Sequence, residues 1–114
     1  MIDGLPRPIE DDLYEMANLF PRTTGLPMTV WVSPRGGARH DARVKVSTRP
    51  GDRITLDELA VVGVRPAPAL IEGSLAAPEF EAVARWIELN REAIIGYWEG
   101  NLDTLELVQA LRRV

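Results

Sequence analysis

The only histidine of the chain, His40, stands between Arg39 and Asp41, four residues after Gly36 and five after Arg35. An imidazole can serve as a general base at neutral pH, a neighbouring carboxylate can orient it, and a guanidinium can stabilise developing negative charge. Together they would suit phosphodiester cleavage, with His40 as base, Asp41 as its orienting group and Arg35 or Arg39 as charge stabiliser. The plainer reading is an exposed turn residue among charges. The pattern marks no second acid–base group, and adjacent residues of an extended strand point to opposite faces. With one histidine and no cysteine, disulfides, thiolate metal sites and a cysteine nucleophile are excluded. Nothing in the pattern calls for a cofactor or a metal.

The second kind of chemistry is electrostatic. Arg35, Arg39, Arg43, Lys45 and Arg49, with Arg22 before them and Arg53 after, concentrate positive charge in one stretch. Residues 22–53 carry a net +5, against −4 for residues 1–21 and −5 for residues 54–114, so the overall −4 conceals an electropositive segment. Such a segment suits the phosphates of a nucleic acid or the carboxylates of an acidic protein. Trp31 would add a stacking surface if it faces outward. The alternative is a solvated hairpin whose cations pair with the acids of the helix. Gly36-Gly37 matches neither GxGxxG nor GxxxxGK and reads as a turn that needs glycine.

These residues must be positioned by one domain. A chain of 114 residues with 46% hydrophobic and 26% charged residues supports a single modest core. Residues 1–15, with two prolines and five acids, read as a flexible acidic extension, and residues 16–114 as one α+β domain. Met28 to Ser33 and Ala42 to Thr48 read as antiparallel strands joined by the Gly-Gly turn. In the second, Val44 and Val46 alternate with Arg43, Lys45 and Ser47, which gives a half-buried strand with a cationic outer face. Asp57 to Arg65 supplies a third strand, and Ala69 to Ile71 a short extended piece. From near Ser74, Phe80, Val83, Ala84, Ile87, Ile94, Ile95 and Trp98 fall along one helical stripe that ends at Gly100-Asn101. A short final helix from Asp103 or Thr104 points Leu105, Val108 and Leu111 inward. The expected fold is a three-stranded antiparallel sheet, hairpin first, covered by a long amphipathic helix and a short final one. Asn90-Arg91 in mid-helix reads as part of the polar face, and Trp86 and Tyr97 lie off the main stripe. Exposed there, they would mark an interface with a partner or with a second copy in a homo-oligomer; core is the plainer reading.

The stretch from Trp86 to Trp98, through Asn90, Arg91, Ile94 and Ile95, resembles the W-x-x-x-[NH]-R-x-x-[IL]-[IL]-x-x-W helix of the DUF4160 family of small bacterial proteins. That family is also similar in placing a β-hairpin region before this helix. Its members often carry Pro-His-x-His where this chain has Pro34 to His40, so a histidine pair does not carry over. They are suspected components of toxin–antitoxin pairs, and the resemblance implies that setting as an expectation. The longer run from Leu19 through Val46 is similar to uncharacterised proteobacterial proteins.

The leading functional expectation is a non-enzymatic interaction module in the cytoplasm. It binds an acidic protein or a nucleic acid through Arg35, Arg39, Arg43, Lys45 and Arg49, with Trp31 or Trp86 as apolar contact. The alternative is a small nuclease-like or toxin–antitoxin component with His40 as general base. A membrane role is not expected, since no window approaches the roughly 20 apolar residues that span a bilayer.

Overall fold

The computed structural model describes residues 16–51 and 59–114. The expected extension over residues 1–15, Arg53 and the start of the third strand at Asp57 lie outside the described residues. β-branched residues at period two build the centre of the sheet. β2 (Met28–Val32) pairs antiparallel with β3 (Arg43–Pro50), setting Val30 against Val46 and Val32 against Val44. β4 (Leu59–Gly63) continues the sheet with Val62 opposite Val44 and Ala60 opposite Val46. The alternation in β3 holds from Arg43 to Val46: Val44 and Val46 are fully buried, while Arg43 and Lys45 are half-buried on the other face. It ends at Ser47, expected outside but 1% exposed, whose hydroxyl bonds to the main chain of Arg49.

Among the described residues the sheet has five strands rather than three. β1 (Ala17–Leu19) adds to β2 and β5 (Ala69–Glu72) adds to β4, giving the order β1-β2-β3-β4-β5, antiparallel throughout. Three residues are too few for β1 to display a period of its own. β5 falls on the expected extended piece and becomes a full strand because the second edge of β4 still needs hydrogen-bond partners.

α1 (Pro21–Thr24) is a single turn after β1. The expected long helix is two helices, α2 (Ala77–Leu89) and α3 (Arg91–Trp98), broken at Asn90, whose φ of −112° and ψ of 18° leave the helical region. Asn90 is only 3% exposed, and its carboxamide is satisfied as a substitute for backbone. Its Nδ2 donates to the Trp86 carbonyl at 2.9 Å and the Arg112 carbonyl at 3.0 Å, and its Oδ1 accepts the Arg112 N–H at 2.7 Å. The tail beyond is held again where the Val114 N–H donates to the Thr24 carbonyl at 2.9 Å.

Asn90 also explains the phase of the buried stripe. That stripe runs Val83, Trp86, Ile87, Asn90, Ile94, Tyr97 and Trp98, with the polar residue at its middle. Assigning Asn90 to the solvent side rotates the apparent stripe toward Ala84 and Ile95 and leaves Trp86 and Tyr97 outside it. Both are core: Trp86 is 0% and Tyr97 3% exposed. α4 (Thr104–Ala110) opens on a capping box, in which Asp103 Oδ1 accepts the Glu106 N–H and Glu106 Oε1 accepts the Asp103 N–H. Here too the face differs from expectation. The inward residue is Leu107, while Leu105 is 65% and Val108 41% exposed. The Tyr97 hydroxyl lies 2.9 Å from Thr104 Oγ1, which turns Thr104, and with it Leu107 and Leu111, toward the body.

The helices pack on one face of the sheet, and Val30, Val32, Val44, Val46, Ala60 and Val62 meet Val83, Trp86, Ile87, Ile94 and Trp98 in one core. Each large side chain so buried contributes about 1.5–3 kcal/mol. That packing fixes the end of α3 relative to the β2–β3 connection, where the chemistry-bearing residues lie.

Candidate functional site

Two backbone contacts position the connection between β2 and β3. The Arg35 N–H donates to the Trp98 carbonyl at 2.9 Å, pinning the loop to the last turn of α3, and the Ala38 N–H donates to the Arg35 carbonyl at 2.8 Å. Gly36 has a φ of +51°, the left-handed region that favours glycine, whereas Gly37 does not. The loop thereby brings Arg35, Arg39, His40 and Asp41 together with Arg65, Trp98 and Glu99 around an open cleft of about 570 Å³.

His40 lies over Trp98, ring centroids 5.4 Å apart and planes tilted by 31°. Its Nδ1 is 2.8 Å from the Asp41 carbonyl oxygen. A carbonyl only accepts, so in the neutral ring Nδ1 carries the proton and Nε2 the lone pair. The expected Asp41–His40 orienting pair is therefore replaced by a contact to main chain. The Asp41 carboxylate turns instead to Arg65, whose Nε donates at 2.8 Å to Oδ2 and whose second nitrogen donates at 2.9 Å to Oδ1. These bonds, with one from the Ala42 N–H, hold the Asp41 carboxyl below its ordinary value, and the Arg65 guanidinium is raised in turn. Arg65 also reaches Glu99 at 3.6 Å. It thus offsets much of the acidic charge lining the cleft.

Arg65 was not marked as a site residue by the sequence. Its place follows from the β3–β4 register: Arg43 faces Gly63, the Val64 N–H donates to the Ala42 carbonyl at 3.3 Å just beyond, and the second position past the Arg43–Gly63 pair sets Asp41 opposite Arg65. The connection between these strands is too long for turn chemistry to fix that register in advance. Glu99 enters because α3 ends beside the loop. Arg35 and Arg39 are exposed, and neither guanidinium forms an ion pair among the described residues.

The other cations stand outside the cleft. Arg43, Lys45 and Arg49 share the outer side of β3, with Arg43 and Lys45 roughly 7 Å apart along the strand. The half-buried Arg43 lies 3.8 Å from the exposed Glu72, a long and weak pairing. Lys45 sits between Trp31 and Val61 in the ladder. Trp31 and Trp86 do not offer the contact surface expected of them. Trp31 is 3% exposed although its register places it on the outer side of the sheet, and Trp86 is at the centre of the core. The aromatic residue that lines the cleft with Arg35 and Arg39 is Trp98, capped by His40.

Among the described residues no cluster of three or more His, Cys, Asp or Glu is placed to hold a metal ion, and no helix is long and apolar enough to cross a membrane. The residues that carry the DUF4160-like pattern are mostly structural here: Trp86, Asn90, Ile94 and Trp98 are buried. Arg91 donates to the carbonyls of Val64 at 3.3 Å and Pro66 at 3.0 Å, fastening the end of β4 to α3. No family model matches the chain, and no curated protein or solved structure does either.

Proposed function

We propose that this chain is a non-enzymatic interaction module that presents the positive charge of its β2–β3 hairpin to an acidic partner, a protein or a nucleic acid. The observation that carries the reading is the pair Arg35 and Arg39, exposed at an open cleft without ion-pair partners among the described residues. Arg43, Lys45 and Arg49 extend the positive charge along the outer side of β3. Trp31 and Trp86 are buried and offer this surface no apolar contact. The test is charge reversal: Arg35→Glu with Arg39→Glu should abolish binding to an acidic partner while the thermal melt stays in place. Binding that survives the double reversal contradicts the reading.

One observation favours the catalytic alternative, in which His40 acts as general base in a nuclease-like protein. Its Nδ1 is committed to the Asp41 carbonyl, which leaves the Nε2 lone pair of the neutral ring for a proton. On that reading purified protein degrades RNA or DNA and His40→Ala does not. Absence of nuclease activity in the wild type, or its persistence in His40→Ala, rejects it.

A further inference from the structure

The cleft narrows the class of acidic partner, and this step rests on the interaction reading above. Cations are half of what the cleft offers. The other half is a fixed plane: His40 is exposed, stacked at 5.4 Å on Trp98 and tied through Nδ1 to the Asp41 carbonyl. Trp98 is 4% exposed, so the imidazole is the outward member of the stack. An acidic peptide has little use for such a plane, because its carboxylates are satisfied by guanidinium groups alone. A nucleobase does have a use for it, since every base has a π-face and stacks on an aromatic ring with little regard to sequence. Bases inside a duplex are already stacked, so an isolated plane of this kind takes an unpaired strand. Arg35 and Arg39 line the same cleft as the plane and keep their charge, whereas Arg65 is engaged by Asp41 and Glu99.

We propose that the cleft binds single-stranded nucleic acid, with one base stacked on His40 above Trp98 and the neighbouring phosphates held by Arg35 and Arg39. The test compares four labelled probes by fluorescence anisotropy at low salt: oligothymidylate, oligouridylate, an abasic deoxyribose-phosphate oligomer of equal length, and polyglutamate. The base-bearing probes should bind tighter than the abasic one. His40→Ala should lose about fivefold to a hundredfold of affinity for them, the range expected for one stacked base, and little for the abasic oligomer. His40→Phe, which keeps a ring but has no basic nitrogen, should restore most of that loss. Arg35→Glu with Arg39→Glu should abolish binding of all phosphate probes. Oligothymidylate against oligouridylate tells whether DNA or RNA is preferred. Equal binding of base-bearing and abasic oligomers, or no effect of His40→Ala, overturns the stacking site while leaving the electrostatic reading intact. Binding of polyglutamate alone overturns it in favour of an acidic protein. No binding of any probe removes the interaction reading and this inference with it.

Discussion

Asn90→Ala tests whether the break between α2 and α3 is the latch for the C-terminal tail. The substitution removes a carboxamide that spans the Trp86 carbonyl and both backbone groups of Arg112. The Trp86 carbonyl keeps a partner, because it also accepts the Asn90 main-chain N–H at 3.1 Å. The Arg112 N–H and carbonyl lose theirs. A buried polar group left unpaired costs about 1–3 kcal/mol, and since Arg112 is otherwise exposed each orphan falls toward the lower end. The expected loss is thus about 2–3 kcal/mol, a large share of the roughly 5–15 kcal/mol that holds a domain of this size. In urea, followed by tryptophan fluorescence, the midpoint should fall by about 1–2 M with the slope unchanged. Native-state amide exchange should quicken at Arg112 and Val114 well before the core strands open. Asn90→Asp keeps the acceptor but turns a carboxylate toward two carbonyl oxygens, and it should be at least as destabilising at neutral pH. A loss below about 0.5 kcal/mol, or unchanged protection at Arg112 and Val114, refutes the latch.

Gly36→Ala should cost about 1 kcal/mol, because it forces an alanine to φ +51°, while Gly37→Ala, whose added methyl meets open space, should be neutral or slightly stabilising; equal melts for the two contradict this. Trp86→Phe should cost no more than about 1 kcal/mol, since the cavity it leaves is offset by removing an indole N–H that has no hydrogen-bond partner, whereas Trp86→Ala should cost about 3–5 kcal/mol. A Phe variant as damaged as the Ala variant rejects that offset. For Asp41 the sign follows from the Arg65 bonds. A carboxyl held below its ordinary 3.8 contributes stability that is complete above that value and lost as pH falls through the lower folded value. Wild-type stability should therefore decline more steeply than that of Asp41→Asn on acidification below about pH 4, and parallel curves rule the pair out as a contributor.

How much of this was legible depended on which residues announce their own environment. β2, β3 and β4 are visible because Val30, Val32, Val44, Val46 and Val62 sit in β-branched runs with turn residues around them. β1 is too short to register, and β5, with Pro66 and Pro68 before it and Gly73 after, becomes a strand only because β4 presents an edge. The helix break was hidden for a chemical reason: Asn90 is polar, and only its paired contacts with Arg112, far along the chain, let it sit in the core. Its misplacement then shifted Trp86 and Tyr97 to the wrong side. At the cleft, Arg35, Arg39 and His40 were readable as cations and imidazole in one loop. Their assembly with Trp98, Glu99 and Arg65 was not, since it depends on strand register and on where α3 ends. The expected union of Arg43, Lys45 and Arg49 with an exposed Trp31 fails because the indole is buried, 3% exposed, although its register sets it beside Lys45.

The most direct test of the central claim is anisotropy of labelled mixed-sequence DNA and RNA and of an acidic peptide, across a salt series, with wild type and the Arg35→Glu, Arg39→Glu variant. The account predicts binding of at least one probe that weakens steeply with salt, as expected when cations meet a charged partner, and that is lost in the variant. Salt-insensitive binding, or equal affinity in the reversed variant, would contradict it.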